Sequence, residues 1–257
     1  MRTVYTLCRR ELAAYFDGPL AYFVVPVYTV LVGVFALWFD DLFAGGVASL
    51  RGMFFWSSIF LLLYAPAVTM RLFAEERRSG SLELLVTLPI TEAELVLGKF
   101  AAALTLVAVA IATTLPYAAA VAWLGTPEVA ANAAPRLLRA LTESGLDLGP
   151  ALGGYVAMLL LGAALAAIGT AASAASTNQV VAFLLAVTVS FIPFSVGFFI
   201  DSVPAGWQSI VGSIGFQSHV DNLVRGVVDS RDLVYWATVC GLALHVALFS
   251  LERRRLA

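Results

Sequence analysis

The strongest constraint on this chain is a series of six apolar segments, each long enough to cross a lipid bilayer as a helix. Arg71, next to the end of the second segment, is the only Asp, Glu, Lys or Arg residue in them. Strands of a membrane barrel alternate polar and apolar residues, and these segments do not. We therefore predict an all-α polytopic membrane protein with six transmembrane helices at Pro19–Phe39, Gly52–Leu72, Phe100–Leu124, Ala151–Ser173, Val180–Ile200 and Leu233–Leu251.

The overall composition supports a location in the lipid bilayer. The 257 residues are 61% hydrophobic and 12% charged, whereas soluble domains are about 25% charged. This composition excludes an ordinary soluble enzyme and also a disordered segment. The formal net charge of −2 offers no basic field to phosphates, so we expect no nucleic-acid partner.

The distribution of basic residues predicts the orientation in the membrane. Ten of the 15 Lys and Arg residues lie before the first segment, between the second and third with Arg71 at the end of the second included, or after the sixth. The positive-inside rule places these regions, and therefore both termini, in the cytoplasm. Frequent Ala and Arg with a single lysine indicate a bacterial chain, so we expect a multi-pass protein of the bacterial plasma (inner) membrane.

Residues 1–18 are expected to form an amphipathic interfacial helix on the inner membrane surface. Apolar residues recur there at helical spacing, with arginines beside them. These apolar residues are Val4, Leu7, Cys8, Leu12, Tyr15 and Phe16. The alternative interpretation is that residues 1–18 form a polar segment without stable helical structure before the first span.

Few residues in the apolar segments are suited to chemistry. His245 is interpreted as a packing residue. The alternative, an intramembrane enzyme, would require His245 to act chemically, for example with Ser213 in the outer region. Lys99 follows Gly98 as in a phosphate-binding loop, but Phe100 replaces the Ser or Thr that such a loop needs. We expect no catalytic residue, no metal site, no cofactor bound directly, and no enzyme activity in the chain by itself.

The link between the second and third segments, residues 74–98, carries an ordered set of helix signals. Gly80 is predicted to end one helix in the left-handed conformation, and Ser81 to begin a short helix that Pro89 ends. Thr91 and Glu94 are predicted to form a capping box for a helix that continues into the third segment. A plain surface loop is the alternative, but the short middle helix has an apolar face that indicates a partner: Leu82, Leu85 and Val86.

Several motifs resemble those of ABC type-2 permeases, the membrane subunits of ATP-driven exporters. The clearest is the run Glu75-Glu76-Arg77-Arg78-Ser79-Gly80-Ser81-Leu82-Glu83-Leu84-Leu85-Val86-Thr87-Leu88-Pro89, which resembles the family signature. Arg10-Glu11-Leu12 resembles part of the first helix of the family. The runs 179–183 and 219–235 resemble the branch that includes the gliding-motility permease. The likeness covers essentially the whole chain.

The resemblance implies a single transmembrane domain over residues 1–257 without a nucleotide site of its own. Two permeases, either identical copies or this chain and a paralogue, would pair with two ATPase subunits, and these would bind ATP and Mg²⁺. The resemblance further implies that one set of residues couples the permease to the ATPase: Arg10, Glu11, Leu12, Glu75, Glu76, Gly80, Ser81, Leu82, Glu83, Leu85 and Pro89.

Two regions are expected on the outer side. The outer loop, residues 125–150, would cap the bundle or contact a periplasmic accessory protein. Residues 201–231 are predicted to form short re-entrant helices, and the resemblance implies an outer gate there. Its polar residues would cluster to form this gate or simply to brace the sixth span: His219, Asp221, Asn222, Arg225, Asp229, Arg231 and Asp232.

Two functions fit this interpretation. The first is the permease subunit of an ABC exporter, in which ATP hydrolysis by the partner drives a substrate outward. The alternative is a mechanotransmitting subunit that uses the same motion to switch a periplasmic or surface partner without moving cargo. The large apolar residues of the spans suit lipid contact as well as amphiphilic cargo, so they do not identify a substrate.

Overall fold

The computed structural model describes residues 2–39, 49–80, 90–124 and 147–255, and these residues form helices and short connections without a β-strand. We number the α-helices in chain order. They are α1 (Arg2–Asp17), α2 (Pro19–Phe39), α3 (Arg51–Thr69), α4 (Arg71–Ser79), α5 (Glu92–Ala112), α6 (Leu115–Leu124), α7 (Leu148–Ala175), α8 (Gln179–Phe199), α9 (Ala205–Gly212), α10 (Phe216–Val224) and α11 (Ser230–Arg255). A 3₁₀ turn, Ile200–Ser202, precedes α9.

Six helical stretches among the described residues are long and apolar enough to cross a membrane, which confirms the predicted number of spans. The second stretch is longer than predicted, because α3 passes into α4 with only Met70 between them in helical backbone geometry. The fourth and sixth stretches extend two or three residues beyond the predicted bounds at each end. The fifth stretch matches its predicted bounds to within one residue. The spans thus follow the apolar segments of the sequence.

The third predicted span, Phe100–Leu124, lies within one apolar stretch, Glu92–Leu124, but the helix is interrupted at Thr113 and Thr114, between α5 and α6. Pro116 has no backbone N–H and lies where the helix would need one. The hydroxyls of Thr113 and Thr114 donate to the carbonyls of Ala110 and Ile111 at 2.6 and 2.7 Å. These bonds compete with the regular helical pattern and accompany the break. The hydroxyl of Thr113 also bonds that of Thr29 on α2.

Helix α7 lies at the centre of the bundle and packs against α3, α5, α8, α10 and α11. Its small residues allow this close approach. A methyl group at Gly154 would overlap the ring of Phe54 on α3, and one at Gly162 would lie 2.6 Å from Val107 on α5. The fourth span is therefore a packing surface on several sides rather than an open channel within one chain.

The bundle has two distinct ends. At one end, called the α1 end, Arg71 donates to Ala14 O at 3.4 Å, and Ser250 on α11 donates to Ala174 O at 3.1 Å. The opposite end, called the α10 end, carries α9 and α10, and there Gly153 on α7 lies directly against the backbone of Leu223. The links before the first span, after the second span and after the sixth span therefore share the α1 end.

Helices α2, α8 and α11 expose many large apolar residues on the outside of the bundle. Trp38 and Phe39 on α2, Phe191 and Ile192 on α8, and Val234 on α11 are examples. Surfaces of this kind fit a lipid environment or a second membrane subunit. Most of the predicted outer loop lies outside the described residues, which resume at Asp147.

We expect Gly154→Ala to destabilise the bundle, because the new methyl group overlaps the Phe54 ring in a packed interface. Overpacking of this kind costs about 1–3 kcal/mol in the free energy of unfolding. Thermal unfolding in detergent measures the change. Gly241→Ala on α11 is the matched control, since within the described part of the chain its methyl group would meet no atom within 4 Å apart from its own stretch of helix. Equal melting temperatures for the two variants would contradict the packing role of α7.

Candidate coupling site

Helix α1 is attached to the bundle through its apolar side. Tyr15 is buried, its hydroxyl donates to Val68 O at 2.8 Å, and the Arg71 guanidinium lies over its ring at 4.5 Å. Burial raises the pKa of the Tyr15 phenol, so the hydroxyl keeps its proton and remains a donor. Leu7 packs directly on Gly98, where an added methyl group would lie 2.7 Å from Leu7 Cβ. These contacts fix α1 against α3, α4 and α5.

The centre of the site is the side chain of Lys99, which is only 1% exposed. Its ammonium donates to Glu11 Oε1 at 3.0 Å and to Glu76 Oε1 at 2.7 Å. Arg10 lies 3.7 Å from the Glu11 carboxylate and 3.8 Å from that of Glu76. We call these four residues the Lys99 cluster. It joins α1, α4 and α5 through charge-assisted hydrogen bonds.

The charges of the Lys99 cluster balance, with two cations and two carboxylates. Balance matters here because an unpaired buried charge is strongly destabilising. The Phe73 ring lies 5.3 Å from the Lys99 ammonium and adds a favourable cation–π contact. A cavity of about 350 Å³ opens beside the cluster and is lined by Arg10, Glu11, Ala14, Tyr15, Arg71, Leu72, Glu75, Glu76 and Lys99.

Helix α5 holds Lys99 in position because its start is well defined. The Thr91 hydroxyl accepts from Glu94 N, and the Glu94 carboxylate accepts from Thr91 N, both at 3.2 Å. The predicted capping box is therefore confirmed. Lys99 follows two turns later on the side of the helix that faces α1 and α4.

Helix α4 is bonded at its start to the last turns of α7. The Ser173 hydroxyl accepts from Phe73 N at 3.0 Å and Ala74 N at 3.2 Å, and donates to Met70 O at 2.9 Å. It thereby satisfies backbone groups at the α3–α4 junction, which helix ends leave without partners. Arg77 also donates to Ser176 O at 3.3 Å.

Helix α4 ends at Gly80, as predicted. Its φ of 72° is left-handed, and its N–H donates to Arg77 O at 3.3 Å. A Cβ at this φ would be strained, so the position favours glycine. After Gly80, the structure describes the chain again from Ile90.

The structure brings together some of the residues predicted to couple to an ATPase. Arg10, Glu11 and Glu76 belong to the Lys99 cluster, while Leu12 packs against the hydrophobic core. Glu75 is exposed at the rim of the cavity. The remaining predicted residues lie outside the described part of the chain: Ser81, Leu82, Glu83, Leu85 and Pro89.

Sequence reasoning missed two residues of this site. In the sequence, Lys99 is one of the basic residues between the second and third spans and does not fit a phosphate-binding loop, and Ser173 is only the end of a span. The signal for Lys99 was available, since it is the single lysine of the chain and follows a helix start by two turns. No sequence signal pointed to Ser173, because its partners are about 100 residues away.

At the α10 end, the predicted gate residues separate into groups. His219 and Asn222 both bond to Asp232, with His219 Nδ1 2.6 Å from Asp232 Oδ1. Asp221 instead lines a cavity of about 400 Å³ together with Arg51 and Gln217.

The other predicted gate residues lie at the start of α11 or before it. Asp229 accepts from Arg231 N at 2.9 Å and caps α11, and Arg225 is exposed at the end of α10. The polar residues of this region therefore do not form one cluster. Within the described ranges, no group of three His, Cys, Asp or Glu residues is placed to hold a metal ion.

We expect Lys99→Met to destabilise the protein by about 3 kcal/mol, because it leaves the Glu11 and Glu76 carboxylates without their central cation. Thermal unfolding in detergent measures the effect. Arg9→Met is the control, since Arg9 is exposed on the same helix as Arg10. Adding Glu11→Gln and Glu76→Gln to Lys99→Met should recover part of the loss. An effect no larger than that of Arg9→Met would mean that the cluster does not hold the three helices.

Comparison with known proteins identifies the family. A search of curated proteins finds no match to the chain. The family model described as ABC-2 family transporter protein matches residues 23–247, which is most of the chain and includes all six membrane-spanning stretches at least in part. The chain is therefore a multi-pass membrane subunit and belongs to the ABC-2 family of transporter proteins.

Proposed function

We propose that this chain is the permease subunit of an ATP-driven ABC exporter, coupling ATP hydrolysis by a separate ATPase to outward movement of a substrate. The observation that carries the proposal is the Lys99 cluster, which joins the helix before the first span to the link after the second. In ABC-2 permeases, an ATPase is the usual partner. A force applied by that ATPase to this link reaches three helices together.

The proposed path of motion begins at residues 81–89, between α4 and α5. An ATPase that pulls or pushes this segment displaces the end of α4 and the start of α5. Lys99 transmits the displacement to α1 through Glu11, and Ser173 transmits it to the central helix α7 through the start of α4. Short, charge-assisted hydrogen bonds suit this task because they resist separation more strongly than neutral ones.

The distribution of charge supports the proposed orientation. Helices α1 and α4, the start of α5 and the end of α11 all belong to the α1 end, and they carry ten of the 15 Lys and Arg residues. We propose that this end faces the cytoplasm of a bacterial plasma (inner) membrane, with α1 at the membrane surface. The α10 end then faces outward and contains the gate.

The proposed complex contains two ATPase subunits, each with ATP and Mg²⁺, and a second permease that is either another copy or a paralogue. The exposed apolar faces of α2, α8 and α11 are the surfaces available for lipid and for that second permease. An accessory protein would bind at the outer loop. The runs 179–183 and 219–235 support a relation to the gliding-motility branch of the family.

We expect Glu83→Arg to reduce co-purification of the ATPase encoded beside this chain by about tenfold, because charge reversal in a contact opposes docking. Affinity capture of the permease from membranes, with the ATPase quantified in the eluate, measures the effect. Glu252→Arg is the control, since it makes the same charge change at an exposed position near the end of α11. If the wild-type permease captures no ATPase, residues 81–89 are not a coupling segment.

We expect Ser173→Ala to leave ATPase binding unchanged but to lower permease-dependent ATP hydrolysis at least about twofold, as coupling residues do when altered. The reason is the loss of three hydrogen bonds between α7 and the start of α4. ATP hydrolysis by the complex in nanodiscs is the measurement. Ser195→Ala is the control, because among the described residues the Ser195 hydroxyl bonds within its own helix, to Ile192 O. Normal ATP hydrolysis by the complex with Ser173→Ala would mean that α7 does not take part in transmitting the motion of the ATPase.

Export and the switching of an outer partner both require coupling to the ATPase, but only export moves a substrate across the membrane. In the mechanotransmitting alternative, hydrolysis depends on the outer partner and no substrate crosses the membrane. Reconstituted vesicles that hydrolyse ATP without substrate, and respond to an added periplasmic protein, would favour the alternative. Stimulation of hydrolysis by a substrate that accumulates on the outer side would favour export.

A further inference from the structure

The cavity at the α10 end lies between α3 and α10, which pack on neighbouring faces of α7. Gly153 on α7 lies against the backbone of Leu223 on α10, and the next residue, Gly154, lies against the Phe54 ring on α3. Both helices therefore meet the same turn of α7 and leave a space between them. Its volume of about 400 Å³ is within the range of about 300–1,000 Å³ found for pockets that bind small ligands.

The polar side chains that line this cavity have no partner within the described part of the chain. Arg51 begins α3, and Gln217 and Asp221 lie one turn apart on α10. Among the described residues, no hydrogen bond or ion pair engages any of these three side chains, and Arg51 and Asp221 do not pair with each other. Arg51 is exposed, so the cavity can be entered from outside the bundle. All three side chains are therefore available to a ligand.

The other charged groups at this end do not line the cavity. His219 and Asp232 bond to each other. Asp229 accepts from Arg231 N, and Arg225 is exposed at the end of α10. Within the described ranges, the lining thus carries one positive and one negative charge. Such a site suits a ligand that also carries both charges, because the carboxylate repels a simple anion and the guanidinium repels a simple cation.

Tryptophans mark the depth of the cavity in the membrane. The five tryptophans of the chain all lie toward the α10 end of the bundle: Trp38 near the end of α2, Trp56 near the start of α3, Trp123 near the end of α6, Trp207 in α9 and Trp236 near the start of α11. Tryptophan concentrates where the hydrocarbon meets the lipid headgroups. Arg51 precedes Trp56 by about 7.5 Å along the helix. The cavity therefore lies at the level of the headgroups of that leaflet.

The apolar lining of the cavity continues onto the surface of the bundle. Phe55 lines the cavity and packs edge-on against Phe198 of α8, with ring centroids 6.4 Å apart. Phe198 and Phe199 are both more than half exposed. Exposed aromatic residues at a membrane-spanning helix are suited to contact with lipid chains. A headgroup in the cavity can thus be joined to acyl chains that lie along α8.

We propose that this cavity binds the headgroup of a phospholipid that carries both a phosphate and a primary ammonium group, as phosphatidylethanolamine does. The Arg51 guanidinium donates to the phosphate oxygens, a pairing for which arginine is well suited. The Asp221 carboxylate and the Gln217 side-chain oxygen accept from the ammonium. Phosphatidylcholine has no N–H in its headgroup, so it cannot make the second set of hydrogen bonds and binds less tightly.

Native mass spectrometry of the full-length chain tests the site. The protein in detergent is mixed with equal amounts of phosphatidylethanolamine and phosphatidylcholine that have the same acyl chains, and the retained lipids are identified by mass. We expect phosphatidylethanolamine to be retained about tenfold more often, because only its ammonium makes hydrogen bonds to the carboxylate.

Two variants remove the two charges separately. Asp221→Asn should bring the two lipids to nearly equal retention, whereas Asp17→Asn, at an exposed position on α1, should keep the preference. Arg51→Gln should lower the retention of both lipids about tenfold, because it removes a charge-assisted contact with the phosphate. Arg9→Gln, which makes the same change at an exposed position on α1, should not. Melting temperatures near that of the wild type verify that the variants fold.

Three outcomes would contradict the proposal. Equal retention of the two lipids by the wild type would overturn it, and so would a preference that survives in Asp221→Asn. Displacement of the retained lipid by soluble glycerophosphoethanolamine would overturn the assignment to a lipid, because the headgroup alone would then be the ligand. Since the readout is bound lipid, a chain that exports nothing still reports on this site.

Discussion

The arrangement at the α1 end depends on one buried ammonium group. Lys99 lies in a helix that continues into the membrane, and its two carboxylate partners come from segments more than 20 residues away on either side of the first two spans. Burying three charges is costly unless each finds a partner, so the three helices are stable at this end only when packed together. The cluster therefore makes a structural unit from α1, α4 and α5, together with the apolar contact of Leu7 on Gly98.

Different interactions hold the membrane-spanning part together. Lipid chains are as apolar as the side chains they replace, so close packing and satisfied polar groups hold the helices together there. The glycines of α7 allow Phe54 and Val107 to approach its backbone, and Ser173 satisfies backbone groups at the α3–α4 junction. Helix α7 thereby connects the Lys99 cluster at one end of the bundle with α10 at the other.

Much of the fold was accessible from the sequence because its signals are local. Apolar length predicts spans, and the pairing of Thr91 with Glu94 and the position of Gly80 predict helix ends that the structure contains. The partners of Lys99, Ser173 and His219 were not accessible, because each bond joins elements whose proximity depends on packing. The split of the third span was missed for a related reason: Pro116 was visible, but the apolar run continues through it.

That split has a mechanical consequence. Thr113 and Thr114 lie about 14 residues beyond Lys99, which is about 21 Å along a helix. If α5 moves as a rigid rod about this break, a tilt of about 10° shifts Lys99 by about 4 Å while α6 keeps its place. Thr29 on α2 bonds the pivot from the side and steadies it. The third span then bends at a hinge: α5 tilts and moves the Lys99 cluster, while α6 stays in place.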